Sequence, residues 1–248
     1  MSKSHEVSRR TVLAHAAAAA AATAATTFVP EALAEEKKKD DAAGLVAKPP
    51  AGFSPLSSKG KIVKVTKSGD FSALMQKNEL WPKLEVAKSM LEKALTTFTG
   101  AKDIPSALAK FIHKDDVVAV KVNGIAGQSG ATMAVNFELI LPVVEGLVAM
   151  GVPVDKIVVY EQFGSYLRGT RIGVKGNKLP AGVKTVVHSN GDAKMKSIAV
   201  FEKVKTKYVR PLTEATAVID MTQIKDHSIC DFTGCLKNMT HGSIIKPQ

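Results

Sequence analysis

Cys230 and Cys235 are the only two cysteines in 248 residues. A cluster held by four thiolates is therefore excluded. Aromatic residues make up 5% of the chain, and few of them interleave the basic residues that give the net charge of +11. That scarcity removes the stacking surface a nucleic-acid binder needs, so no nucleic-acid partner is expected. The basic excess instead suits anionic surfaces or anionic ligands. A strongly apolar span is missing too. The run from Val12 to Val29 is mostly alanine, with three threonines and a histidine. It is too weakly apolar for a stable transmembrane segment. No internal repeat is evident.

What is present begins with "SRRTVLA" (Ser8 to Ala14), followed by the alanine run and a small-x-small site at Ala32-Leu33-Ala34. A basic start, an apolar middle and such a site describe an export signal, and the pair Arg9-Arg10 marks the twin-arginine type. Val12 stands where phenylalanine is usual and Ala14 where lysine is usual. An ordinary alanine-rich helix opening with two arginines is the alternative, and the cleavage site weighs against it. Residues 1–34 are thus expected to be a disordered signal peptide read by the twin-arginine translocation machinery. The mature protein is then periplasmic or otherwise extracytoplasmic. Its removal takes away three basic and two acidic residues and leaves a net charge of +10. Residues 35–60 are charged, then rich in Pro, Gly and Ser, and read as a flexible linker. Residues 61–248 are enough for one domain with a full core.

In that domain apolar runs alternate with helical patterns. "KIVKVT" (61–66) reads as a short β run. Lys83 to Phe98 places Leu84, Ala87, Leu91, Ala94, Leu95 and Phe98 on one helical stripe, and "IPSALAKFI" reads as a second, short helix. Further strands are expected at 116–124, 156–161, 183–189 and 216–224, with a helix at 136–151 before Gly151. "SIAVFEKVKTKYV" reads as a peripheral hairpin. Strand, helix, strand in this order predicts an α/β fold: an open, mostly parallel sheet with crossover helices, Rossmann-like.

In such sheets ligands sit beyond the carboxyl ends of the strands. The 116–124 strand ends on Lys121 and Asn123, which alternation places on one face, and then on "GIAGQSG". The glycines from Gly124 onward suit a phosphate cradle or a plain mobile loop about equally, since their spacing is neither a dinucleotide fingerprint nor a P-loop. The next strand ends on Glu161, and the last runs on to Lys225 and His227.

That last run opens "IKDHSICDFTGCLKNMTHGS" (Ile224 to Ser243). His227, Cys230, Cys235 and His241 are zinc-type ligands, but H-x2-C-x4-C-x5-H matches no standard closed site, and Lys225 and Lys237 repel a cation. No metal is therefore assigned. A Cys230–Cys235 disulfide is permitted after export, although five residues across a helix start restrict its geometry. The anion reading fits better. Thr233 reads as the N-cap and Gly242 as the stop of a short helix, with Gly234, Lys237, Asn238 and His241 on one face and Leu236 and Met239 turned to the core. A solvated polar helix is the bland alternative.

"VVAVKVN", "VVYE" and "IDMTQIKDHSICDFTGCLKNMTHG" together resemble the uncharacterised family called domain of unknown function 362, over roughly 115–245. The resemblance implicates Lys121, Asn123, Glu161, Lys225, His227, Lys237, Asn238 and Gly242. It also implies that the chain, which stops at "SIIKPQ", is truncated at its C-terminus, since relatives continue further. Some relatives are fused to ferredoxin-like cluster domains, which this chain lacks. The resemblance supplies no reaction and no cofactor.

The leading expectation is an exported protein binding a small anionic ligand, carboxylate or phosphate, through Lys121, Asn123, Gly124, Thr233, Gly234, Lys237, Asn238 and His241. As an enzyme it would use Lys225, His227 and Glu161 as the catalytic set. An electron-transfer or cofactor-carrying protein and a non-catalytic cell-envelope binding protein are the alternatives.

Overall fold

The computed structural model describes residues 47–125, 133–174, 176–188, 194–201, 204–227 and 231–245. The expected signal peptide, 1–34, and residues 35–46 of the expected linker, like Cys230, lie outside the described residues. In chain order the strands are β1 (Val118–Lys121), β2 (Ile157–Glu161), β3 (Lys184–Val187), β4 (Lys194–Phe201), β5 (Val204–Val209), β6 (Ala217–Asp220), β7 (Lys225–His227), β8 (Asp231–Thr233) and β9 (Ile244–Ile245). The helices are α1 (Phe71–Leu74), α2 (Leu84–Thr99), α3 (Ile104–Leu108), α4 (Phe137–Ala149), α5 (Gly164–Gly169), α6 (Arg210–Thr213) and α7 (Cys235–Thr240).

β1, β2, β3 and β6 pair in parallel in the order β3-β2-β1-β6. The α/β expectation is met, with helices packed on the sheet. Every residue of β1 is buried, as a central parallel strand requires. Its alternation sorts two layers. Val118, Val120 and Val122 meet α3 and α4 through Ile104, Leu108, Ile140, Val144 and Leu147. On the other face Ala119 packs with Tyr160, Val209 and Ala215, beneath the β5 side of the chain. α2 ends where Gly100 takes φ +74°, a left-handed stop that glycine adopts without strain. Asp103 caps α3 by accepting from the Ser106 N–H at 2.8 Å. The peripheral hairpin appears as antiparallel β4 and β5, with β9 added at its edge.

Two expectations need correction. Residues 61–66 form no strand: Ile62 is 89% exposed and no partner strand lies beside the segment. The last parallel strand stops at Asp220, so Lys225 and His227 belong to a separate antiparallel pair, β7 with β8. Residues 47–60 run as irregular chain, with the Leu56 N–H donating to Lys110 O at 2.7 Å and Phe53 tilted on His113.

The strand order places the site. From β1 the chain steps outward to β2 and β3, then returns to add β6 on the other side of β1. Such a reversal opens a crevice at the carboxyl ends of the two strands that flank it, here β1 and β6, and the cavity described below lies next to it, on the β2 side of β1.

Candidate functional site

Lys121 and Asp220 are register partners on β1 and β6, so their side chains leave the sheet together at that crevice. Lys121 is fully buried. Its ammonium donates to Glu161 Oε2 at 2.6 Å, to Val122 O at 2.6 Å and to Asn238 Oδ1 at 3.1 Å. An ammonium has three N–H groups, so none remains for a ligand. Burial pulls its pKa below the usual lysine range, with Glu161 opposing. The Glu161 carboxylate also accepts the N–H of Gln162 at 2.6 Å and of Gly124 at 3.3 Å.

Asn238 ties the two sides together. Its Oδ1 accepts from Lys121 and from Asn123 Nδ2 at 3.2 Å, and its Nδ2 donates to Asp220 Oδ1. Burial raises the Asp220 pKa, and the Asn238 bond works against that. Its other oxygen is buried without a partner at hydrogen-bond geometry among the described residues. The Cys235 thiol is nonetheless close: burial raises the thiol pKa first and Asp220 raises it further.

Lys225 reaches the same place from β7. It donates to Asn123 Oδ1 at 2.9 Å, to Ile125 O at 3.0 Å and to Met133 O at 3.2 Å. Its donors are committed as completely as those of Lys121. Ile125 and Met133 flank residues 126–132, so one ammonium draws the two flanks of that segment together. Burial, then repulsion from Lys237, lowers its pKa.

Lys237 differs from both. It is half-buried on α7, and no acid or hydrogen-bond acceptor meets it among the described residues. With Lys121, Glu161, Asn238, Tyr166 and His241 it lines a cavity of about 50 Å³. Gly242 closes one side by approaching closely: a Cβ there would lie 2.3 Å from Asn238 O and 2.8 Å from Lys121 Cε. Behind it, buried His188 has Nε2 2.6 Å from Gly242 O, and the Tyr160 hydroxyl lies 2.9 Å from Ser243 Oγ. Burial pushes the Tyr160 pKa up to about 12, so the phenol stays protonated.

The residues expected from sequence divide accordingly. Lys121, Asn123, Glu161, Lys225 and Asn238 form one bonded cluster, Gly124 joins it through its N–H, and Lys237, His241 and Gly242 complete the cavity wall. Thr233 is no N-cap. It is a buried strand residue of β8 whose hydroxyl donates to Lys225 O at 3.2 Å, and Gly234 takes the cap position with no side-chain bond. Leu236 does not face the core but is 81% exposed, because α7 turns Asn238 inward to serve Lys121. His227 lies two residues beyond Lys225 in β7, outside the cavity wall. Among the described residues no three His, Cys, Asp or Glu side chains are grouped to hold a metal. Asp220 is a member of the cluster that the sequence does not announce, because the strand-like pattern of 216–224 runs on past it.

Residues 118–248 match the family described as domain of unknown function (DUF362). The chain belongs to that family. The DUF362 match begins at the first residue of β1 and takes in every side chain of the cluster, whereas α1, α2 and α3 precede it. No curated protein and no solved structure matches the chain.

Proposed function

We propose that this DUF362 protein binds a small anion, a carboxylate or a phosphate, in the cavity at the carboxyl ends of β1 and β2. Lys237 is the group that meets it. The observation that carries this reading is a half-buried ammonium in a cavity wall, beside two other lysines and without an acidic partner among the described residues. Burial is the main cause that lowers the pKa of both Lys121 and Lys225, and repulsion from Lys237 adds to it. An anion would relieve that repulsion. Lys121 and Lys225 supply fixed positive charge rather than free donors, since each already serves three acceptors. His241, exposed at the rim, is the wall residue chemically suited to exchange a proton with a bound acid, which is the form an enzymatic role would take.

Calorimetric titration of the full chain with acetate and with inorganic phosphate tests this. Lys237→Ala should weaken binding by about 10- to 100-fold, the span of one charge-assisted hydrogen bond. Lys93→Ala, on the exposed face of α2, should change nothing. Equal affinities in wild type and Lys237→Ala would rule the cavity out.

Export by the twin-arginine route belongs to the same proposal, supported by Arg9-Arg10 and the Ala32-Leu33-Ala34 site. Arg9→Lys combined with Arg10→Lys should leave the protein inside the cell with its signal uncleaved. Normal export of that double variant, followed by fractionation, would contradict it.

No helix among the described residues is long and apolar enough to cross a membrane.

A further inference from the structure

We infer that the site selects for a single negative charge, taking a monocarboxylate in preference to a phosphate dianion; this rests on the anion-binding reading above. Two observations carry it. The first is size. A cavity of about 50 Å³ is far smaller than the roughly 300–1,000 Å³ of pockets that enclose whole small molecules. It admits an acid group, and the rest of the ligand stays outside.

The second is charge. The charged side chains in the wall are Lys121, Lys237 and Glu161, with the imidazole of His241 at the rim. Just outside the wall the Lys225 ammonium and the Asp220 carboxylate add one charge of each sign, so three ammonium groups against two carboxylates leave a surplus of one positive charge, which one negative charge neutralises. A second negative charge would face Glu161 with no cation left to meet it. Glu161 cannot turn aside, because its oxygens hold Lys121 and the N–H groups of Gln162 and Gly124. Lys121 offers no free N–H either. Residues 126–132, which follow Ile125, contain no charged side chain, so they do not alter the count. Like charges brought together in a poorly solvated site are strongly disfavoured, and this is a common source of selectivity.

The experiment titrates the full chain at pH 8 with acetate, methanesulfonate and methyl phosphate. The second and third share a tetrahedral shape but differ in charge, since a phosphate monoester has its second pKa near about 6. Acetate and methanesulfonate should both bind, and methyl phosphate should bind at least about 10-fold more weakly. Binding should weaken by about 10- to 100-fold in Lys237→Ala. Methyl phosphate binding as tightly as acetate, and weakened by Lys237→Ala, would overturn the single-charge inference while leaving the anion site in place. Failure of all three probes, or binding indifferent to Lys237→Ala, would remove the anion site and this inference together.

Discussion

Glu161→Ala should lower the free energy of unfolding by about 3–5 kcal/mol, the usual cost of removing one partner from a buried ion pair. The argument starts from Lys121, which has no exposed surface and whose ammonium depends on one carboxylate and two neutral oxygens. Without the carboxylate the ammonium keeps its desolvation cost and loses the charge that offsets it. The N–H groups of Gly124 and Gln162 lose their acceptor in the same step. Urea unfolding measures the difference. Glu214→Ala provides the contrast, because its pair with Arg210 is 62% and 51% exposed and such pairs contribute about 0.3–0.5 kcal/mol. Combining Glu161→Gln with Lys121→Met should recover much of the loss, since replacing both members of a buried pair costs far less than breaking it. A loss below about 1 kcal/mol for Glu161→Ala would mean that Lys121 is not held as an ion.

The same cluster explains what could be read from the amino-acid sequence and what could not. Lys121 and Asn123 fall on one face by simple alternation, and Glu161 closes a nearly continuous apolar run, so both strand ends were visible locally. Asp220 was hidden because Met221 and Ile224 extend the apolar character of "AVIDMTQI" past the last paired residue. Pairing ends a strand, and pairing depends on the neighbour. The placement of β6 beside β1 is equally non-local: nothing in residues 216–224 states which strand they join. Leu236 and Asn238 show a competition between rules. Residue type favours leucine inside and asparagine outside, yet the buried ammonium of Lys121 on β1 needs an acceptor. Leaving that donor unmet would cost more than exposing one leucine. Thr233 followed by Gly234 has the look of a helix start, but its pairing with Lys225 makes it the end of a strand.

Gly124→Ala should be as damaging as Glu161→Ala by an entirely different cause. Gly124 follows Asn123 where the chain leaves β1, and it passes directly under α5. A Cβ at this position would lie 1.7 Å from Tyr166 O and 2.5 Å from Tyr166 C. Both atoms are backbone, so no rotamer change removes the collision. The β1 exit and α5 would have to separate by more than an ångström. Overpacking costs about 1–3 kcal/mol as a rule, and a collision with backbone that no rotamer relieves lies at or above the upper end of that range. The separation also breaks the bond from the Gly124 N–H to Glu161 and draws Asn123 away from Asn238 and Lys225. Stability and anion binding should therefore fall together. Gly164→Ala, in α5 itself, is the matched comparison: its nearest atom is Arg168 Nη1 at 3.7 Å, at the far end of a flexible side chain. Alanine there should be neutral or stabilise slightly, by up to about 1 kcal/mol from helix propensity. Thermal unfolding of the two variants side by side decides the matter. A Gly124→Ala protein melting within about 2 °C of wild type would show that β1 and α5 do not approach this closely, and the cavity wall built on Tyr166 would go with it.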